Sequence, residues 1–113
     1  MIPAYNCADV IADTIKSIRH SGLEDYEIIV VNDGSTDRTA QVLDHLLKQE
    51  PALIVLAQSN SGVSAARNYA ISKARGEYLV FLDADDAMVE NAYGAACSQI
   101  QKHRPDMLLF GTR

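Results

Sequence analysis

Cys7 and Cys97 are the only two thiols in the chain, and no Cys-x-x-Cys pair exists. They read as small buried thiols of a reducing compartment, not as a disulfide framework. No apolar run approaches the roughly 20 residues that a membrane span needs. The first residues lack a basic stretch followed by an apolar one, so no signal peptide is expected. Positive charge is also short: 10 Lys and Arg stand against 15 Asp and Glu, for a net charge of −5. A binder of phosphate backbone needs a basic face, so no nucleic acid partner is expected. His20, His45 and His103 show no ligand spacing and read as surface residues on helical stretches. The Gly-x-Gly-x-x-Gly run of a dinucleotide-binding domain is missing after the first strand. Internal repeats, linkers and low-complexity tracts are missing too.

What remains is 113 residues, 48% hydrophobic and 22% charged, the size and makeup of one compact domain. Four short apolar runs stand out: Glu27 to Val31, Leu53 to Leu56, Tyr78 to Leu82 and Met107 to Phe110. They lack clean alternation, which predicts strands buried on both faces, as in a parallel sheet. Ile2 reads as the remnant of an earlier first strand. Helical patterns lie between the runs. Ile11, Ile15 and Ile18 recur at i, i+4 and i+7, with Asn6 as cap and Gly22 as stop. Leu43, Leu46 and Leu47 stripe a helix capped near Ser35. Val63, Ala66, Ala70 and Ala74 form a small-residue stripe that lets a helix approach a sheet closely. A last helix over Glu90 to His103 stops before Pro105. Alternating strands and helices predict an α/β fold, a Rossmann-like three-layer α/β/α sandwich on a mostly parallel sheet. The whole chain, 1–113, reads as one such domain. Its short first strand and abrupt last one suggest a piece of a longer protein, with an unpaired sheet edge that would allow a homodimer.

Ligands of such sheets bind at the carboxyl ends of the strands. After the first strand, Pro3-Ala4-Tyr5-Asn6 puts an aromatic ring at the sheet edge, where it can stack on a base; a rim tyrosine beside an Asn cap reads as well. After the second, Asn32-Asp33-Gly34-Ser35-Thr36-Asp37 is ordinary loop chemistry apart from Asp33. Gly34 permits a tight turn, a hydroxyl caps the helix, and Asp37 suits its dipole. Asp33 precedes the cap and can accept hydrogen bonds from a base or a ribose. Ahead of the next run, Asn60 to Asn68 opens a helix at Gly62 and carries Arg67, within reach of a phosphate or equally a plain surface arginine. Then comes Phe81-Leu-Asp-Ala-Asp-Asp86. One aspartate suffices to cap a helix, so three exceed what capping explains. Crowded carboxylates call for a positive partner. An Asp-x-Asp pair offers hard oxygens to Mg²⁺ or Mn²⁺, which take one or two carboxylates plus substrate phosphates. Together these features describe a site for a nucleotide diphosphate and a divalent cation.

The stretches "IPAYN", "IIVVNDGSTDRT" and "NSGVSAARNYAISKARGEYLVFLDADD" resemble, in order and spacing, the N-terminal half of family 2 glycosyltransferases, which have the GT-A fold. The likeness runs from Ile2 to about Val89. It implies that Pro3, Ala4 and Tyr5 pack a uracil-type base and that Asp33 holds that base. It implies further that Arg67 lies near the nucleotide, that Asp83 sits close to ribose and metal, and that Asp85 contacts the metal bridging the diphosphate. Asp86 is left to cap the following helix. The implied donor is a nucleotide sugar, of UDP type, and the acceptor a saccharide or a lipid. Family members are typically inverting, with a carboxylate base and an acceptor site in the C-terminal half, expected here beyond Arg113. The implied setting is cytoplasmic, with room for membrane association of the full-length protein.

Rival folds fit less well. A nucleotidyltransferase of similar fold wants a Gly-rich, Arg-containing loop where this chain has "PAYNCAD". A phospho-acceptor receiver domain wants an aspartate after its third strand, where this chain has Ala57-Gln58. A noncatalytic nucleotide-binding fragment is the serious alternative.

Overall fold

Ile28, Ile29, Val30 and Val31 form the most deeply buried run of the chain. Branched side chains on consecutive residues suit a strand covered on both faces, because successive side chains point to opposite sides. The structure, a computed structural model, describes residues 1–107. In it this run is the heart of β2 (Ile28–Asp33), flanked by β1 (Ile2–Ala4) and β3 (Leu53–Gln58) in the order β1-β2-β3. Both pairings are parallel, with Ile2 opposite Val30 and Ile28 opposite Leu53. The helices are α1 (Ile11–Arg19), α2 (Thr39–Leu47), α3 (Val63–Lys73) and α4 (Ala92–His103).

The two faces of β2 define two apolar cores. Ile28 and Val30 join Ile2, Ala4 and Leu53 under α1 and α2, whose Ile11, Ile15, Ile18 and Leu43 complete that core. Ile29 and Val31 face the other way, against Ala66 and Ala70 of α3. The three-layer α/β/α arrangement read from the sequence is therefore present. So is the small-residue contact: Ala66 and Ala70, one turn apart, are fully buried against the sheet.

Several local expectations are corrected. Tyr78–Leu82 forms no strand. The Met1 nitrogen donates to the Val80 carbonyl at 2.6 Å, and Leu82 N–H donates to the Met1 carbonyl at 3.1 Å. That is the bonding pattern of a parallel pair, but among the described residues the run makes just these two bonds to the sheet and no ladder forms. Nor is this run buried on both faces, since Leu79 and Phe81 are exposed. β3 is likewise half-buried along most of its length, as an edge strand is. Asn6 does not cap α1, which begins after Val10. The helix expected from Ser35 begins only at Thr39, with Arg38 at the cap position; just ahead of it the carboxylate of Asp37 accepts the Thr39 N–H at 2.9 Å. Asp86 caps nothing, because α4 begins at Ala92, after Asn91, and the Asp86 N–H instead closes a turn onto the Asp83 carbonyl at 3.1 Å. The strand expected at Met107–Phe110 lies, apart from Met107, outside the described residues.

Candidate nucleotide-sugar site

The chain builds outward from β1 to β3 and then turns back. α3 crosses β2 on the opposite face from α1 and α2, and the run 78–82 arrives on the free side of β1. Strand order thus reverses beside β1. In open α/β sheets the crevice at such a reversal is where ligands bind. A cavity of about 560 Å³ opens there. Pro3, Tyr5, Asn6, Cys7 and Val10 form the wall that follows β1, α3 adds Val63 and Arg67, and Asp83, Ala84 and Asp85 close the third side.

Each wall is held by identifiable contacts. Asn6 sits at φ 48°, a left-handed position that asparagine tolerates better than most residues. Its side-chain carbonyl accepts the Thr36 N–H at 2.8 Å, and its own N–H donates to Ser35 Oγ at 3.0 Å. Next along, Cys7 N–H donates to Thr39 Oγ1 at 3.0 Å. These bonds lace the β1 loop to the β2 loop and leave the Tyr5 ring half in solvent, 51% exposed, on the cavity wall. Burial pushes the Cys7 thiol above its ordinary value, so Cys7 contributes a neutral, apolar surface.

Asp33 ends β2 and is buried. Its Oδ1 accepts Gln58 Nε2 at 2.8 Å and Ser61 N–H at 2.7 Å; its Oδ2 accepts Gly62 N–H at 3.0 Å. The Gln58 amide and the two backbone N–H groups hold its carboxyl below the usual range. A carboxylate offers about four acceptor sites, so one remains for a ligand. Asp33 therefore clamps the segment that opens α3, with Gly62 at φ 95° making the entry. Arg67 follows on that helix. Its Nη2 lies 3.3 Å from Asp83 Oδ1, while its buried Nε has no hydrogen-bond partner.

Arg67 is thus the positive charge that the crowded acids call for. Both members of the pair are substantially exposed, 39% and 60%. Such a pair is worth no more than about 1 kcal/mol, so a diphosphate could draw Arg67 away and a cation could take Asp83. Asp85 is exposed, lines the cavity and accepts no hydrogen bond from the described residues. No group of three or more His, Cys, Asp or Glu gathers as a metal site among the described residues. Asp83 and Asp85 are the residues that could hold a divalent ion here, with phosphate oxygens and water as its other ligands.

The family model for glycosyl transferase family 2 matches residues 1–113. The chain belongs to that family. Over 111 residues it is 35% identical to the chondroitin synthase of Pasteurella multocida (strain Pm70), covering 98% of this chain and 12% of the synthase. It is 33% identical to EpsJ, an uncharacterized glycosyltransferase of Bacillus subtilis (strain 168), covering 98% of this chain and 32% of EpsJ. Among solved structures, S. aureus TarS in complex with UDP superimposes with a TM-score of 0.83 at 30% identity, covering 92% of this chain and 32% of that one. The chain therefore spans about a third or less of the length of these relatives. Its α/β fold is that of the matched part of TarS.

Of the residues expected in this family 2 site, Pro3, Tyr5, Arg67, Asp83 and Asp85 come together on the cavity. Ala4 is buried beneath it in the core, and Asp33 stands behind the wall. Asn6, Cys7, Val10 and Val63 are additional lining residues. Val10 and Val63 are apolar residues left exposed at helix starts, which the sequence does not mark. Nothing in the sequence marks Cys7.

Proposed function

We propose that this domain binds a nucleotide-diphosphate sugar of UDP type together with Mn²⁺ or Mg²⁺, for inverting transfer of the sugar to a hydroxyl of a saccharide or lipid acceptor. The observation that carries this reading is the convergence of Tyr5, Arg67, Asp83 and Asp85 on one cavity at the reversal of strand order. The UDP held by the related TarS supports the choice of nucleotide.

The geometry suggests a division of labour. Tyr5 offers its face to the uracil, with Pro3 beside it; Asp33, behind that wall, would take a base N–H only through the acceptor capacity that its three bonds leave. Arg67 exchanges Asp83 for a diphosphate oxygen, which also gives its orphaned Nε a partner. Asp83 faces the ribose and Asp85 the diphosphate. A divalent ion held there would supply Lewis-acid stabilisation of the charge that builds on the departing diphosphate. The acceptor hydroxyl attacks the anomeric carbon, the bond to the diphosphate breaks, and the hydroxyl proton passes to a carboxylate base. Asp83 and Asp85 serve the metal and the ribose on this reading, and the base and acceptor site are those that the family resemblance puts in its C-terminal half, beyond Arg113. On this reading residues 1–113 bind the donor without turning it over, and a noncatalytic binding role for the isolated chain is the second reading. Among the described residues no helix is long and apolar enough to cross a membrane.

Calorimetric titration with UDP, in Mn²⁺ and then in EDTA, tests the reading. Binding should weaken when EDTA removes the metal. Asp85→Ala should lose that metal-dependent part and keep its fold, since Asp85 is exposed and unpartnered. Absence of UDP binding would sink the nucleotide assignment; binding indifferent to EDTA would sink the metal.

A further inference from the structure

We infer that Thr14, seconded by Ser17, is a positioning residue that sets the acidic turn at Asp83–Asp86 for its metal, an inference that rests on reading that turn as the metal and diphosphate site. Thr14 occupies the buried stripe of α1 between Ile11, Ile15 and Ile18 and is 2% exposed. A threonine in mid-helix usually returns its hydroxyl to the carbonyl four residues back. Here that carbonyl, Val10, is 3.2 Å away, while the Ala84 carbonyl is 2.6 Å away. The hydroxyl has one hydrogen, and the shorter bond takes it.

Ala84 stands between the two acids. Its carbonyl belongs to the planar peptide group that ends in the Asp85 nitrogen, so fixing that oxygen fixes the direction in which Asp85 leaves the turn. Ser17, one turn on along the same helix face, secures the far end. Its Oγ accepts the Met88 N–H at 2.9 Å and donates to the Thr14 carbonyl at 2.6 Å. Leu82, Ala84 and Met88 pack against the same core as α1, while Asp83 and Asp85 face out. The stretch from 74 to 91 has no helix or strand of its own. These bonds to α1 therefore stand in for secondary structure beneath the acids, and ligands placed by a fixed supporting shell bind metal better than loosely held ones.

Thr14→Val keeps the branched shape and removes the hydroxyl, and Thr14→Ser keeps the hydroxyl. At fixed UDP, half-maximal binding by Thr14→Val should need about 10-fold more Mn²⁺, with UDP affinity in EDTA unchanged and Thr14→Ser close to wild type. Ser17→Ala should shift the Mn²⁺ requirement in the same direction by less, which keeps a readout if Thr14→Val folds poorly. An unchanged Mn²⁺ requirement in both Thr14→Val and Ser17→Ala overturns the inference. So does a Thr14→Ser variant as impaired as Thr14→Val, because packing alone would then explain the effect. Amide exchange separates this from the reading beneath it. If wild-type binding ignores EDTA, the metal reading falls, and faster exchange of the Asp86 N–H in Thr14→Val still supports positioning; unchanged exchange refutes it.

Discussion

Ala66 links the packing of this fold to its site, and Ala66→Leu is the change that shows it. Ala66 is fully buried where α3 rests on Ile29 and Val31, and Arg67 is the next residue. Leucine adds an isopropyl group to a contact with no room for one. Overpacking of this kind costs about 1–3 kcal/mol, which a domain with typical stability of about 5–15 kcal/mol survives. With a urea slope of about 1–3 kcal/mol/M, the midpoint should fall by about 1 M. The strain is relieved by lifting α3 off the sheet, and the lift carries Arg67 away from Asp83. It carries Arg67 equally away from the cavity it lines, where on the proposed reading it would bond a diphosphate oxygen. A hydrogen bond to a charged group is worth about 1.5–3 kcal/mol, so UDP affinity should drop roughly 10-fold or more. Ile71→Leu is the control: Ile71 is on the same helix but 42% exposed, and its unfolding free energy should hold within about 0.5 kcal/mol. An Ala66→Leu protein with unchanged urea midpoint and unchanged UDP titration would refute the coupling of helix seating to the arginine.

Gly34→Ala should destabilise by about 2–4 kcal/mol in urea unfolding, from the left-handed backbone at φ 70° and a Cβ placed 2.6 Å from the Asn60 nitrogen; a midpoint equal to wild type would contradict it. Acid should weaken the fold through Asp33 and Asp37, whose carboxyls are held low, Asp33 first by Gln58 and Asp37 first by the Thr39 hydroxyl. Their folded values lie below the unfolded one, so they contribute stability above about pH 4. That contribution is lost as pH falls through their folded values. Asp37→Asn should therefore be less stable than wild type at pH 7 and lose less stability on acidification, as urea midpoints across that range would show; an identical pH slope would count against it.

How much of this was legible follows from where each signal comes from. β2 and the α3 stripe were readable because burial on both faces and close helix approach each demand particular side chains at particular spacings. Of the five cavity residues, Pro3 and Tyr5 were readable because a strand end places chemistry, Asp83 and Asp85 because three crowded acids exceed what capping needs, and Arg67 because a glycine-led helix start precedes it. Capping was misread at Asn6, Ser35 and Asp86 for one reason: a residue able to cap a helix can as readily bond another loop, and only the tertiary structure decides. Asn6 bonds Thr36, Ser35 bonds Asn6, and Asp86 closes its own turn. Tyr78–Leu82 was misread because composition reports a strand's appetite for a partner and not the length of the partner offered. Thr14 left a faint trace, as the one polar residue on an isoleucine stripe.

The site is built from two shells with opposite logic. Residues that touch the cavity are left free or weakly paired: the Tyr5 ring, the Asp85 carboxylate, and Arg67 in an exposed ion pair. Residues just behind them have most of their bonding capacity taken up. Asp33 uses three of about four acceptor sites on the entry to α3. The Thr14 hydroxyl is taken by Ala84, and Asn6 is the exception to the pattern, lining the cavity while lacing two loops. A ligand that carries its own charge needs an inner shell cheap to desolvate and rearrange, on a frame that does not move when it arrives. Replacing a cavity residue should then change affinity with little change in stability, and replacing a frame residue should change both. Asp33 belongs to both shells. It clamps the start of the helix that carries Arg67, and if it also takes a base N–H as proposed, the base end and the phosphate end of the site are joined through one carboxylate.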